Sequence, residues 1–83
     1  MGYSKHYFPE GFAERLKDLW MKSGMTQEQV AVKIKWERKT VNAWINGYSM
    51  PNALAIARLC RLFNVSADYL LFGEEGENAV HTP

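Results

Sequence analysis

Apolar residues at Phe12, Leu16 and Leu19 recur at the three- to four-residue spacing of one helix face. Pro9 and Glu10 open this first pattern and Gly24 ends it, a residue suited to the left-handed position just past a helix C-terminus. Thr26 has the chemistry of an N-cap, since its hydroxyl accepts from an orphan amide of the next turn. Val30, Ala31 and Ile34 give a second helix its inward face. A break at Lys35-Trp36 precedes a third segment, Glu37 to Ile45, with Val41, Trp44 and Ile45 apolar and Asn46-Gly47 as its stop. Pro51-Asn52 starts a fourth helix, in which Leu54, Ala57, Leu59 and Phe63 are expected to face the core and Asn64 to terminate in the left-handed region. Ser66 caps a last short helix, Ala67 to Phe72, closed by Gly73. Alternation with period two never persists, so no strand is expected. The pattern predicts an all-α, compact five-helix domain over residues 9–73. A flexible N-terminal arm (1–8) and an acidic, disordered tail (74–83) are expected to flank it.

Composition is compatible with that reading. A chain of 83 residues makes one domain, and its 47% hydrophobic and 13% aromatic content is enough for a packed core. The single cysteine, Cys60, lies between Leu59 and Leu62 and reads as a small buried apolar residue. His6 and His81 are far apart and form no zinc pattern, so neither a metal nor a cofactor is expected. No apolar run approaches the ~18 residues of a membrane span. The N-terminus has no long apolar stretch of a secretory leader, and His6 stands where myristoylation needs Ser or Thr. A cytoplasmic location is the expectation.

Net charge is only +1, but its distribution is uneven. Setting aside Glu74, Glu75 and Glu77 leaves ten cations against six anions up to residue 73. Lys33, Lys35, Arg38 and Lys39 fall within one short stretch whose single anion is Glu37. On charge alone this cluster fits a surface facing phosphates and bases and an ordinary solvated helix face equally.

Spacing across TQEQVAVKIKWERKTVNAWING narrows the choice. Ala31 falls five residues after Thr26, where a small side chain lets two helices cross closely. Val41 and Trp44 fall where a third helix packs back on the first two. Arg38, Lys39, Asn42 and Ala43 then form one outward strip near the start of that helix. Arg and Lys donate to guanine O6 and N7, and Asn pairs bidentately with adenine, so the strip holds residue types that read base edges.

The stretches GMTQEQVAVKI, WINGYSMP and ALAIARLCRLFNVSADYLL, over residues 10–73, resemble the lambda-repressor/Cro-like helix-turn-helix family, also called the xenobiotic-response-element family of bacterial and phage regulators. The resemblance implies a lambda-repressor-like fold with the helix-turn-helix in the second and third helices. It implies base contacts by Arg38, Lys39, Asn42 and Ala43. It also implies phosphate contacts by Gln27, Lys35, Thr40, Asn46 and Tyr48, with Gln27 bracing the first recognition residue. Tyr69, Leu71 and Phe72 stand where family members often dimerise.

Departures from the family pattern are also visible. Lys35 occupies the usual turn glycine, and holding a left-handed backbone there costs roughly 1 kcal/mol. Glu37 stands where the recognition helix usually has a Ser or Thr cap, and is expected to cap weakly. Trp36 replaces a small aliphatic residue and is expected partly in the core, with a place on the DNA backbone as the alternative. Trp20 stands where arginine is frequent.

The function expected is a sequence-specific regulator of transcription, a repressor of phage or mobile-element type binding a near-palindromic double-stranded DNA operator as a homodimer. Two alternatives stand beside it: an antitoxin-type regulator, and a helical protein-interaction module that has lost DNA binding. The near-neutral charge and Glu37 favour the module. No nucleophile–base pair or carboxylate dyad recurs at usable spacing, so an enzyme is not expected. The sequence names no small-molecule inducer.

Overall fold

The computed structural model describes residues 9–73. Five helices follow one another: α1 Phe12–Ser23, α2 Gln27–Ile34, α3 Arg38–Ile45, α4 Ala53–Phe63 and α5 Ala67–Phe72. There is no strand among the described residues. The expected arm, 1–8, and tail, 74–83, lie outside the described residues.

The helix ends follow from local chemistry. The Thr26 hydroxyl accepts from Gln29 N–H at 3.0 Å, and the Gln29 side chain accepts from Thr26 N–H at 2.8 Å, a reciprocal box that satisfies two orphan donors. Asn52 and Ser66 cap α4 and α5 by accepting from Ala55 N–H and Tyr69 N–H. Gly24 and Asn64 end α1 and α4 in the left-handed conformation, as expected. Lys35 also adopts it, with φ 63° and ψ 50°, at the turn between α2 and α3.

Three sequence expectations need correction. The first helix begins at Phe12 rather than at Pro9-Glu10, because Gly11 at φ 80° breaks helical geometry and the Pro9 carbonyl only closes a turn onto Phe12 N–H. Leu54 and Ala57 are exposed and do not face the core. At about 100° per residue, Leu54 and Ala57 fall roughly 140–160° around α4 from Leu59, so the face that buries Ala55, Ile56 and Leu59 against the other helices turns both outward. Glu37 makes no side-chain cap. Its extra methylene carries the carboxylate past the amide that a shorter Ser or Thr hydroxyl reaches.

One core joins all five helices. Phe12, Leu16, Val30, Ala31, Ile34, Val41, Trp44, Ile45, Ala55, Ile56, Leu59 and Leu70 are buried. Ala31 is 2% exposed, and its small side chain is where α2 crosses its neighbours closely. Trp36 packs on this core from the α2–α3 turn, its ring 5.6 Å from that of Trp44 at 59°. That tilted geometry suits two aromatic quadrupoles. Arg58 closes the same corner from α4: its guanidinium lies 5.8 Å from the Trp36 ring centre and donates to the Ile34 carbonyl at 3.1 Å.

A second arginine ties the chain's two described ends together. Arg15 donates through Nε to Leu70 O at 3.0 Å and through Nη2 to Leu71 O at 2.7 Å and Glu10 O at 3.0 Å. These carbonyls belong to the last turn of α5 and the approach to α1, so one guanidinium answers acceptors that the helix leaves open. Gly11 makes room for it, since a Cβ there would meet Arg15 Nη1 at 2.5 Å.

Candidate nucleic-acid interface

The α2–turn–α3 unit is rigid because each joint has a stated cause. The capping box fixes the start of α2, Lys35 turns the chain in the left-handed region, and the Trp36 N–H donates to the Ala31 carbonyl at 2.9 Å. Val41, Trp44 and Ile45 bury one face of α3 and thereby fix which residues remain outside.

Arg38 and Lys39 are exposed, on the first turn of α3. Asn42 and Ala43, one turn on, are half-buried. The first turn of α3 is locally unfavourable: its cap residue supplies no side-chain acceptor, it has no acidic residue, and it carries two cations at the positive end of the helix. Such a start sacrifices helix stability and presents donors to a negatively charged ligand, the kind of local inconsistency expected at a functional surface.

Two polar pairs organise this surface, and neither was visible in the sequence. Glu28, on the first turn of α2, places Oε1 3.9 Å from Arg38 Nε, with both side chains more than half exposed. Asn46 donates through Nδ2 to the carbonyl and to Oδ1 of Asn42, each at 3.0 Å. The second pair holds the Asn42 carboxamide in one orientation, with lone-pair capacity left on Oδ1 and both Nδ2 protons uncommitted. A phosphate contact from the Asn46 amide requires exchange of one of these bonds.

The remaining expected residues surround the strip unevenly. Gln27 is half-buried, and the ion pair to Arg38 comes from its neighbour Glu28. Lys35 is exposed and lines one groove with Glu37 and Thr40. Tyr48 is 77% exposed beyond the C-terminus of α3, in a turn where its N–H donates to Ala43 O at 2.8 Å. Tyr69, Leu71 and Phe72 lie away from this surface on α5. Tyr69 and Leu71 are half-buried, Leu71 packs on the core, and Phe72 is 57% exposed.

Sequence reasoning missed Glu28 as a neighbour of the strip, and Arg58 and Arg61 as members of a cationic cluster. Arg58 and Arg61 join Lys33 and Lys35 around a cleft between α2 and α4. Nothing local connects positions so far apart. Among the described residues, no group of His, Cys, Asp and Glu is placed to hold a metal ion, and no helix is long and apolar enough to cross a membrane.

Comparison with known proteins agrees with this geometry. A family model described as helix-turn-helix matches residues 16–70, more than half of the chain. The chain is 34% identical over 64 residues to the HTH-type transcriptional activator BcrR of Enterococcus faecalis, covering 77% of this chain and 31% of that protein. It is also 34% identical over 62 residues to the HTH-type transcriptional regulator ImmR of Bacillus subtilis (strain 168), covering 75% of this chain and 49% of that protein. The chain thus spans somewhat under a third and about a half of the length of these two relatives. No solved structure gives a significant match. With five helices, the helix-turn-helix in α2 and α3 and a family match across both, the chain belongs to the lambda-repressor-like helix-turn-helix family of DNA-binding transcriptional regulators, which are not enzymes.

Proposed function

We propose that this domain recognises a specific operator in double-stranded DNA by laying the first two turns of α3 in the major groove and represses transcription there. The observation that carries the reading is the first turn of α3, where Arg38 and Lys39 stand exposed on a helix start without a side-chain cap. Arg38 and Lys39 donate to guanine edges, Asn42 takes an adenine edge, and Ala43 offers a small apolar contact for a thymine methyl. Gln27, Lys35, Thr40, Asn46 and Tyr48 hold phosphates on either side and set the register of the helix.

The protein acts as a homodimer in this reading, through α5. Support comes from the exposed Phe72 beside half-buried Tyr69, with Leu71 contributing less because it already packs on the core. A two-fold dimer places two recognition helices about 34 Å apart on a near-palindromic site. The working location is the bacterial or phage-infected cytoplasm, at the nucleoid, in a phage or mobile-element setting.

Activation is the second reading, favoured by the printed name of the Enterococcus faecalis relative. Selection from a random duplex pool, with sedimentation for the oligomeric state, tests the DNA-binding core of the proposal. A near-palindromic site bound by a dimer is expected; random recovered sequences contradict it. Transcription from a promoter carrying the selected site then separates the readings, because a repressor lowers and an activator raises the yield.

A further inference from the structure

The charge on the recognition surface presents a problem. Arg38 and Lys39 are offset by Glu28, which pairs with Arg38, and by Glu37, which precedes it. The surface that reads bases is therefore close to neutral, while most of the affinity of a protein for duplex DNA comes from neutralising phosphates. The positive charge lies elsewhere. Residues 9–73 contain nine cations and six anions, and four of those cations, Lys33, Lys35, Arg58 and Arg61, line one open cleft of about 360 Å³ between α2 and α4. Without them the described domain would be net negative.

Three features make this cleft more than scattered surface charge. The ion pairs seen among the described residues, Lys22–Asp18 and Arg38–Glu28, involve none of the four. Arg58 is fixed in place by the Ile34 carbonyl and the Trp36 ring, so its position is set before any ligand arrives. The cleft also runs on, through shared Lys35 and Arg58, into a second groove lined by Trp36, Glu37 and Thr40, which ends at the start of α3. One cationic track thus leads from α4 to the recognition helix.

We propose that this cleft receives the sugar–phosphate backbone of the DNA next to the bases that α3 reads, and that it supplies the electrostatic part of binding. The half-buried Leu62 on the cleft lining offers apolar atoms to deoxyribose, and the four cations suit successive phosphates. Affinity and sequence preference are then divided between two surfaces: the α2–α4 cleft and the outward strip of α3. The inference rests on α3 being the recognition helix.

The test is a salt titration of duplex binding by the full chain and by K33Q/R61Q, which alters two of the three exposed cations and spares Lys35 and the anchored Arg58. Each lost phosphate contact lowers the slope of log K against log salt by about 0.9, so the variant is expected to lose between about one and two slope units. Its base preference in a random pool is expected to match wild type. Circular dichroism melting checks that the variant folds. An unchanged slope in K33Q/R61Q overturns the proposal and points to an acidic protein as the occupant of the cleft. A changed base preference also overturns it, because the cleft would then read sequence. A wild-type chain without salt dependence removes the recognition reading itself, and this proposal with it.

Discussion

Glu28 Oε1 lies 3.9 Å from Arg38 Nε, linking the first turn of α2 to the first turn of α3. Of the five donors of a guanidinium, this pair engages the one at Nε and leaves the terminal Nη pair, whose spacing matches O6 and N7 of guanine. An exposed ion pair contributes under about 1 kcal/mol to stability, so its consequence is orientation. A carboxylate near the DNA also repels phosphates.

Glu28→Gln is therefore expected to strengthen binding to non-specific duplex about two- to three-fold while weakening discrimination for guanine at one position. Competition titrations of selected against random duplex measure both. A gain that is equal on the two duplexes would show that Glu28 acts only through bulk charge.

Lys35→Gly is expected to raise stability by about 1 kcal/mol, because glycine adopts the φ of 63° without the cost a Cβ imposes. The same change removes a cation from the α2–α4 cleft and is expected to weaken DNA binding. Denaturant unfolding and duplex titration on one sample should move in opposite directions.

Arg15→Ala is expected to destabilise the domain by roughly 2–3 kcal/mol, since a charged donor to three carbonyls is lost at once. Hydrogen exchange should show the amides of α5 losing protection before those of α2 and α3. Gly11→Ala is expected to act in the same direction through the crowded Arg15 Nη1.

Burial pushes the Cys60 thiol above its ordinary range. The thiol stays protonated in the folded chain at neutral pH and is expected to alkylate slowly. With a raised folded-state pKa, the sign is that no stability is lost below the unfolded thiol value. Stability falls only as pH rises from there through the folded value. Alkylation rate against pH, folded and in denaturant, checks the order of the two.

The ends of the helices were legible in the sequence because they depend on residues a few positions apart: Thr26 and Ser66 as caps, Pro51-Asn52 as the start of α4, Gly24 and Asn64 as left-handed terminators. The exposure of Arg38 and Lys39 was legible for a similar reason, once Val41, Trp44 and Ile45 fixed the inner face of α3, whereas Asn42 and Ala43, read as outward too, are half-buried. The phase of α4 was not, because Leu54 and Ala57 look as apolar as Ala55 and Ile56, and only packing against the other helices selects the buried face. Arg15 and Arg58 were silent, since their partners Leu70 and Ile34 are 55 and 24 residues away. Glu28 was silent too: ten residues separate it from Arg38, and only the turn at Lys35 brings the two first turns together.

The central claim is that the first turn of α3 reads bases, and Arg38→Ala tests it most directly in a random-pool selection run beside wild type. The account predicts a loss of roughly 1–3 kcal/mol on the best wild-type site and relaxed preference at one base position, with the other positions kept. Identical selected sequences and equal affinities for the two proteins would contradict it.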